Sequence, residues 1–172
     1  MKVEDIISDY DLKPHPEGGF FKEIYRSAGV ISEGVISGAA IAKNSGSDKF
    51  PNWRNFSTSI YYLLSKGAVS KFHMIQSDEI FHFYSGGPLV IVQINSHGVL
   101  EKHRLGADIN SGQLFQYIVK AGNWFGAYPE LEYSLVGCTV SPGFDFRDFK
   151  IADRSELLKL HPKHEDIIKK LT

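Results

Sequence analysis

From about residue 57 to residue 140 the chain breaks into short strand-like runs, with turn residues recurring every eight to twelve positions. That rhythm leaves no room for a long helix. It makes each run fold back on the last, the pattern of an antiparallel sandwich or small barrel. The runs are Ser57 to Leu64, two within Gly67 to Gly86, Pro88 to Ile94, Val99 to Leu105, Phe115 to Val119 and Tyr133 to Val140. Gln76-Ser77-Asp78, Gly86-Gly87-Pro88, Ser96-His97-Gly98 and the stretch from Leu105 to Gly112 supply the turns between them. Twelve Phe and eight Tyr favour strands around a walled cavity over a helix bundle.

The flanks read differently. Val3, Ile6, Ile7 and Tyr10 recur at helical spacing, so residues 2–10 predict a short amphipathic helix docked on the domain. A shaped turn, L-K-P-H-P-E-G-G, follows. Then F-F-K-E-I-Y-R-S alternates, with Phe21, Glu23 and Tyr25 on one face and Phe20, Lys22, Ile24 and Arg26 on the other. A charge on an inward face is costly unless that face lines a polar cavity or an interface. I-S-G-A-A-I-A reads as a small strand, and Asn44 to Asn55 as a loop carrying Phe50 and Trp53. After Val140 comes an irregular edge segment. Asp153 caps a helix and Pro162 opens another, the pair covering an open end of the sheets or a dimer contact. The length fits a single domain over 1–172, with a core at about 56–141, an N-terminal helix and strand at 2–27 and C-terminal helices at about 153–171.

Nineteen basic and twenty acidic side chains give a formal charge of −1, with no basic field for nucleic acid or an anionic membrane. No run reaches the length of a spanning helix, and the N-terminus is acidic too early for a signal peptide, so a cytoplasmic location is expected. Cys138 is the sole cysteine, which excludes an internal disulfide. Its apolar strand predicts a buried thiol.

Chemistry concentrates around G-A-V-S-K-F-H-M-I-Q-S-D-E-I-F-H-F-Y-S-G, where His73, Glu79 and His82 fall near the ends of two runs that read as one hairpin. Strand parity puts Glu79 and His82 on opposite faces unless a bulge intervenes. Gln93 is a lone amide in an apolar run, which points to a cavity-facing group. Trp124 and Phe125 offer a ring for stacking, Tyr62 and Tyr133 a proton-donating phenol, and Arg54 an anion contact from the loop. Each has a plainer reading as a packed or solvated residue. His15 and Glu17, in P-H-P-E-G-G, read as structural or as the edge of a pocket contributed by a dimer partner.

The central stretch resembles the first motif of the cupin superfamily: Gly67, His73, Glu79 and Gly86 fall at its spacings, with Ile75 in place of the second histidine. The second motif is worn; Lys120 stands at its proline, Gly122 keeps its glycine, and Phe125 stands at its metal histidine. A closer match runs over nearly the whole chain. P-H-P-E-G-G, Y-R-S, T-S-I-Y-Y-L-L, F-H-x-I-x-S-D-E, H-F-Y-x-G-x-P-L, W-F-G-A and Y-S-L-V-G-C-T-V-x-P-G-F-D-F-x-D-F resemble the cupin-5 proteins. That resemblance implies an all-β cupin double-stranded β-helix, or jelly-roll barrel, with short terminal helices, a homodimer and a cavity. It also offers an analogy to sugar epimerases and isomerases on the same barrel.

The expected function is binding of a small polar ligand, of carbohydrate or nucleotide-sugar type, in that cavity. His73, Glu79, His82, Gln93, Trp124, Phe125 and Arg54 are the candidate contacts. An epimerase or isomerase is the alternative, with His73 as general base and Glu79, Tyr62 and Tyr133 as partners. A metal-dependent dioxygenase or isomerase is the second. A first-row metal needs three or four converging ligands, and Ile75 and Phe125 cannot ligate, so no metal or other cofactor is expected.

Overall fold

The computed structural model describes residues 2–32 and 53–172. Helix α1 (Val3–Asp9) leads into strands β1 (Lys13–Pro14), β2 (Phe20–Arg26) and β3 (Val30–Ser32). The chain then runs through β4 (Trp53–Asn55), β5 (Thr58–Ser65), β6 (Ser70–Met74), β7 (Asp78–Gly86), β8 (Leu89–Ile94) and β9 (Leu100–Leu105). A 3₁₀ turn at Ile109–Ser111 precedes β10 (Gln116–Val119), β11 (Trp124–Pro129) and β12 (Tyr133–Ser141). Another, at Phe146–Asp148, precedes β13 (Lys150–Ile151), and α2 (Arg154–Leu160) and α3 (Glu165–Lys170) close the chain.

Two antiparallel sheets carry the architecture, in the orders β1-β2-β5-β12-β7-β10 and β13-β6-β11-β8-β9; β3 and β4 form a separate ribbon. The hydrogen-bonded order of each large sheet has two ends among the described residues, so neither sheet closes on itself as a barrel. Inward positions of both sheets meet in one apolar cluster, including Tyr62, Leu64, Phe81, Val136 and Cys138 from the first sheet and Leu89, Ile91 and Phe125 from the second. Outward positions are covered by the helices. Ile6 of α1 packs with Leu12, Leu63 and Leu135 on the six-stranded sheet, while Leu157, Ile167, Ile168 and Leu171 pack with Phe72, Val90, Val92 and Ile94 on the other. The C-terminal helices thus sheathe a sheet face rather than an open end.

Four sequence expectations need correction. The runs on either side of Gln76-Ser77-Asp78 are not a hairpin: β6 and β7 belong to different sheets, and the chain crosses the core between them. Trp53–Asn55, read as loop, pairs with Val30–Ser32. I-S-G-A-A-I-A and Phe50 lie outside the described residues. The alternation of β2 breaks where Glu23 opposes Ile60 but Tyr25 opposes Ser59, and this bulge brings Arg26 to the same side as Phe21 and Glu23. W-F-G-A-Y, absent from the runs read as strands, forms β11, which joins β6 to β8.

Candidate functional site

A cavity of about 70 Å³ opens between the two sheets. Phe21, Glu23 and Arg26 of β2 line it, with Thr58, Ile60 and Tyr62 of β5 and Cys138 and Val140 of β12. His73 enters from β6 and Glu79 from β7, so the two residues of the supposed hairpin approach the cavity from different sheets. Phe144, Phe146 and Phe149, from the segment after β12, form another wall, and His15 and Glu17 enter from the turn before β2.

Glycine chemistry delivers that turn. Gly18 and Gly19 both have positive φ, at 116° and 69°, and a Cβ on Gly18 would sit 2.1 Å from the carbonyl oxygen of Val69. Only glycine lets the backbone pass this close to β6. The result is a buried Glu17 whose Oε1 accepts from Ser70 Oγ at 2.8 Å and whose Oε2 lies 3.2 Å from His73 Nε2. A bulge assists on the other side: Phe125 pairs with His73 but Ala127 with Ser70, so Ser70 and His73 both turn inward while Phe72 packs outward.

The protons can be placed from the acceptors. His73 Nδ1–H donates to the Lys71 carbonyl at 2.7 Å. Its Nε2 is turned to Glu17, 3.2 Å from Oε2. The backbone N–H of Glu17 donates to His15 Nδ1 at 3.4 Å, which puts the proton of that ring on Nε2. Burial lowers the pKa of His15 against the pull of Glu17 and keeps the ring neutral. Tyr62 O–H donates to the Gly18 carbonyl at 2.8 Å, and burial, then the Glu17 charge, push its pKa well up.

Glu79 is the other carboxyl. Burial, then the charge of Glu17, raise its pKa to about 8, against a lowering hydrogen bond with Cys138. Near neutral pH it is an acid holding its proton. The Cys138 thiol is pushed up as well, by burial first and Glu79 second. The cavity thus sets a proton-bearing carboxyl apart from a carboxyl–imidazole pair, an arrangement suited to giving and taking a proton.

The remaining candidates lie elsewhere. His82 is on the outer face of its sheet, with Nε2 3.1 Å from Thr139 Oγ1 and Nδ1 2.9 Å from the Gln116 amide, as parity required. Gln93 has the inward parity of Leu89 and Ile91, but its amide donates to Glu101 at 2.5 Å and Tyr117 at 2.7 Å, outside the cavity lining. Trp124 packs under the C-terminal helices with the Lys150 ammonium over its ring. Phe125 is core, its ring centroid 4.0 Å from that of His73, so it backs the imidazole. The Tyr133 hydroxyl pairs with Ser85 Oγ at 3.2 Å, away from the cavity.

Arg54 is not in an exposed loop. It is buried in β4, its guanidinium 3.2 Å from Asp145 and 2.7 Å from Asp148, and it ties down the aromatic segment above the cavity. Sequence reasoning had placed Glu17 and His15 at most on a pocket edge completed by a partner; both belong to the cavity of their own chain. The signal was present, because two prolines and two glycines around an acid mark a backbone shaped to aim it.

The metal of ordinary cupins does not fit this donor set. Ile75 is packed in the core, Phe125 presents a phenyl ring, and no group of three or more His, Cys, Asp or Glu among the described residues is arranged to hold an ion. His73 and His15 already spend Nδ1 on backbone groups.

Residues 4–152 match the family described as Cupin superfamily (DUF985), Cupin_5, and the chain belongs to that family. It is similar to an uncharacterised protein of Saccharomyces cerevisiae, 31% identical over 164 residues that span 91% of this chain and 78% of the yeast protein. Among solved structures, a protein from Shewanella oneidensis is 35% identical with a TM-score of 0.84, covering 100% of this chain and 98% of that one. A hypothetical protein from Leishmania major is 32% identical with a TM-score of 0.85, covering 100% and 99%. Oxalate decarboxylase of Bacillus subtilis, at 11% identity and a TM-score of 0.55, over 95% of this chain and 37% of its own, shares the fold alone. No described helix is long and apolar enough to cross a membrane.

Proposed function

We propose that this Cupin_5 chain binds a small polar ligand in the cavity between its sheets, with Glu17, His73 and Glu79 as the polar contacts. The observation that carries the reading is the buried Glu17–His73 pair facing a proton-bearing Glu79 inside one small void. Buried polar groups are costly unless paired, and a ligand that bonds to Glu79 relieves that cost. A void of about 70 Å³ is well below the several hundred of a drug-sized site, so the ligand has few heavy atoms. Of the carbohydrate and nucleotide-sugar class, only a small sugar fragment or the end of a sugar enters.

The same carboxyls favour a second reading, an isomerase or epimerase acting on a small carbonyl compound. The Glu17–His73 pair takes the proton next to the carbonyl, and Glu79 donates to the developing oxyanion. A metal-dependent oxygenase fits less well, for want of ligands. A jelly-roll arrangement of the two facing sheets, a homodimer and a cytoplasmic home accompany the proposal; sedimentation equilibrium showing only monomer removes the dimer.

The test is to denature purified protein, identify any small molecule released by mass spectrometry, and incubate that compound with fresh protein in deuterated water. Release of a stoichiometric small molecule supports binding. Deuterium gained with the native chain and with His164→Ala, but not with His73→Ala, supports proton transfer. A saturating ligand that leaves the signals of Glu17, His73 and Glu79 unmoved in NMR would sink both readings.

A further inference from the structure

We infer that the ligand enters this cavity by a positively charged amine. The inference rests on the reading of the cavity as a ligand site and names the class of ligand. Phe144, Phe146 and Phe149 all line the void, and their rings meet edge-to-face at 83°, 82° and 68°, with centroids 4.9 to 5.9 Å apart. Ring faces are negative, so aromatic rings that line a void attract a cation that enters it.

The polar side of the void agrees. Glu17 and Glu79 both line it, and Glu79 is buried with the weakly donating Cys138 thiol as its hydrogen-bond partner. A carboxyl buried at a void with so little to bond it is aimed at something that enters. Arg26, the lining cation, is already neutralised: its Nε and Nη2 donate to Glu23 at 3.0 and 2.7 Å, and its Nη1 donates to Asn55 and the Phe144 carbonyl. A carboxylate or phosphate entering the void would meet Glu17, with Arg26 committed to Glu23 and the neighbouring His15 and His73 rings cationic only when protonated. An ammonium group meets aromatic faces on one side and carboxyl oxygens on the other, and can displace the proton that Glu79 carries.

Three molecules of similar size and different charge test this: ethanolamine, ethylene glycol and glycolate. Each is titrated into the full chain at pH 7.5, following amide and side-chain NMR signals of the cavity residues. Ethanolamine is expected to bind at least tenfold more tightly than ethylene glycol, with glycolate weakest. Calorimetry in two buffers of different ionisation heat should show protons released on ethanolamine binding. Phe146→Leu, at a half-exposed position that tolerates the change, should weaken ethanolamine several-fold and leave ethylene glycol unmoved. Equal or tighter binding of the diol or of glycolate overturns the amine inference and leaves the small-ligand reading intact. No binding by any of the three also overturns it, and the mass-spectrometric search for a retained molecule then decides the wider reading separately.

Discussion

Oε2 of Glu17 lies 3.2 Å from Nε2 of His73, and the contact joins the turn before the first long strand to the opposite sheet. Nδ1 of the same imidazole donates to the Lys71 carbonyl, so the ring is held between the backbone of its own strand and Glu17. Its influence extends to Glu79, whose raised pKa owes its second-largest contribution to Glu17. Glu17→Gln keeps the shape and removes the charge. The Glu79 pKa should then fall below about 8 while burial still holds it above an ordinary glutamate, as read by carbon NMR titration of labelled glutamates.

Ser70 anchors the other oxygen of Glu17 at 2.8 Å in a buried setting. Ser70→Ala leaves that oxygen without its donor. A lost hydrogen bond to a charged, buried acceptor costs about 1.5–3 kcal/mol, measurable as a shift in the urea midpoint with unchanged slope.

Most of the long strands were legible because they are bounded by their own turn residues, and the outward aim of His82 followed from strand parity alone. What local pattern cannot show is which strands pair. Gln76-Ser77-Asp78 looks like a hairpin turn, but the hydrogen bonds of β6 go to β11 and β13 and those of β7 to β12 and β10, all later in the chain. Bulges are equally hidden. One extra residue in β2 moves Arg26 to the cavity side, and the break between Ser70 and His73 turns both inward. The burial of Arg54 depended on Asp145 and Asp148, far along the chain, and nothing in W-R-N announces them.

Arg54 supplies the next expectation. It is buried against two carboxylates on the segment that carries Phe144, Phe146 and Phe149. Burial raises the pKa of Asp148 and the Arg54 charge opposes that rise. Removing one partner of a buried ion pair leaves the other uncompensated, at about 3–5 kcal/mol. Arg54→Met should lose stability in that range and speed hydrogen exchange across residues 144–149 ahead of the sheets.

His82 and His73 give a paired comparison. His82 bonds Thr139 and Gln116 on the outer face, whereas His73 bonds Glu17 at the cavity. His82→Ala should leave ethanolamine titrations of the cavity unchanged within error. His73→Ala should weaken them about tenfold or more, because Glu17 loses the partner that orients it. Equal effects of the two changes would show that His73 does not act through the cavity.

The pH dependence of stability follows from Glu79. Its pKa in the folded chain, about 8, lies above the 4.5 of the unfolded chain, so the folded state holds a proton that the unfolded state releases between those values. Below pH 4.5 both states are protonated and the contribution to stability is fully present. As pH rises towards 8 the unfolded state gains relative to the folded one, and stability drops until the folded-state carboxyl also ionises. Glu79→Gln cannot titrate. Wild type minus variant, compared by thermal unfolding at several pH values, should therefore show a difference that declines from about pH 4.5 to 8 and is flat above it. Glu17→Gln should narrow that window from its upper end, since it lowers the folded-state pKa and leaves the unfolded value alone. A difference that rises with pH would mean that Glu79 is ionised in the folded chain, and the proton-bearing role assigned to it would fall.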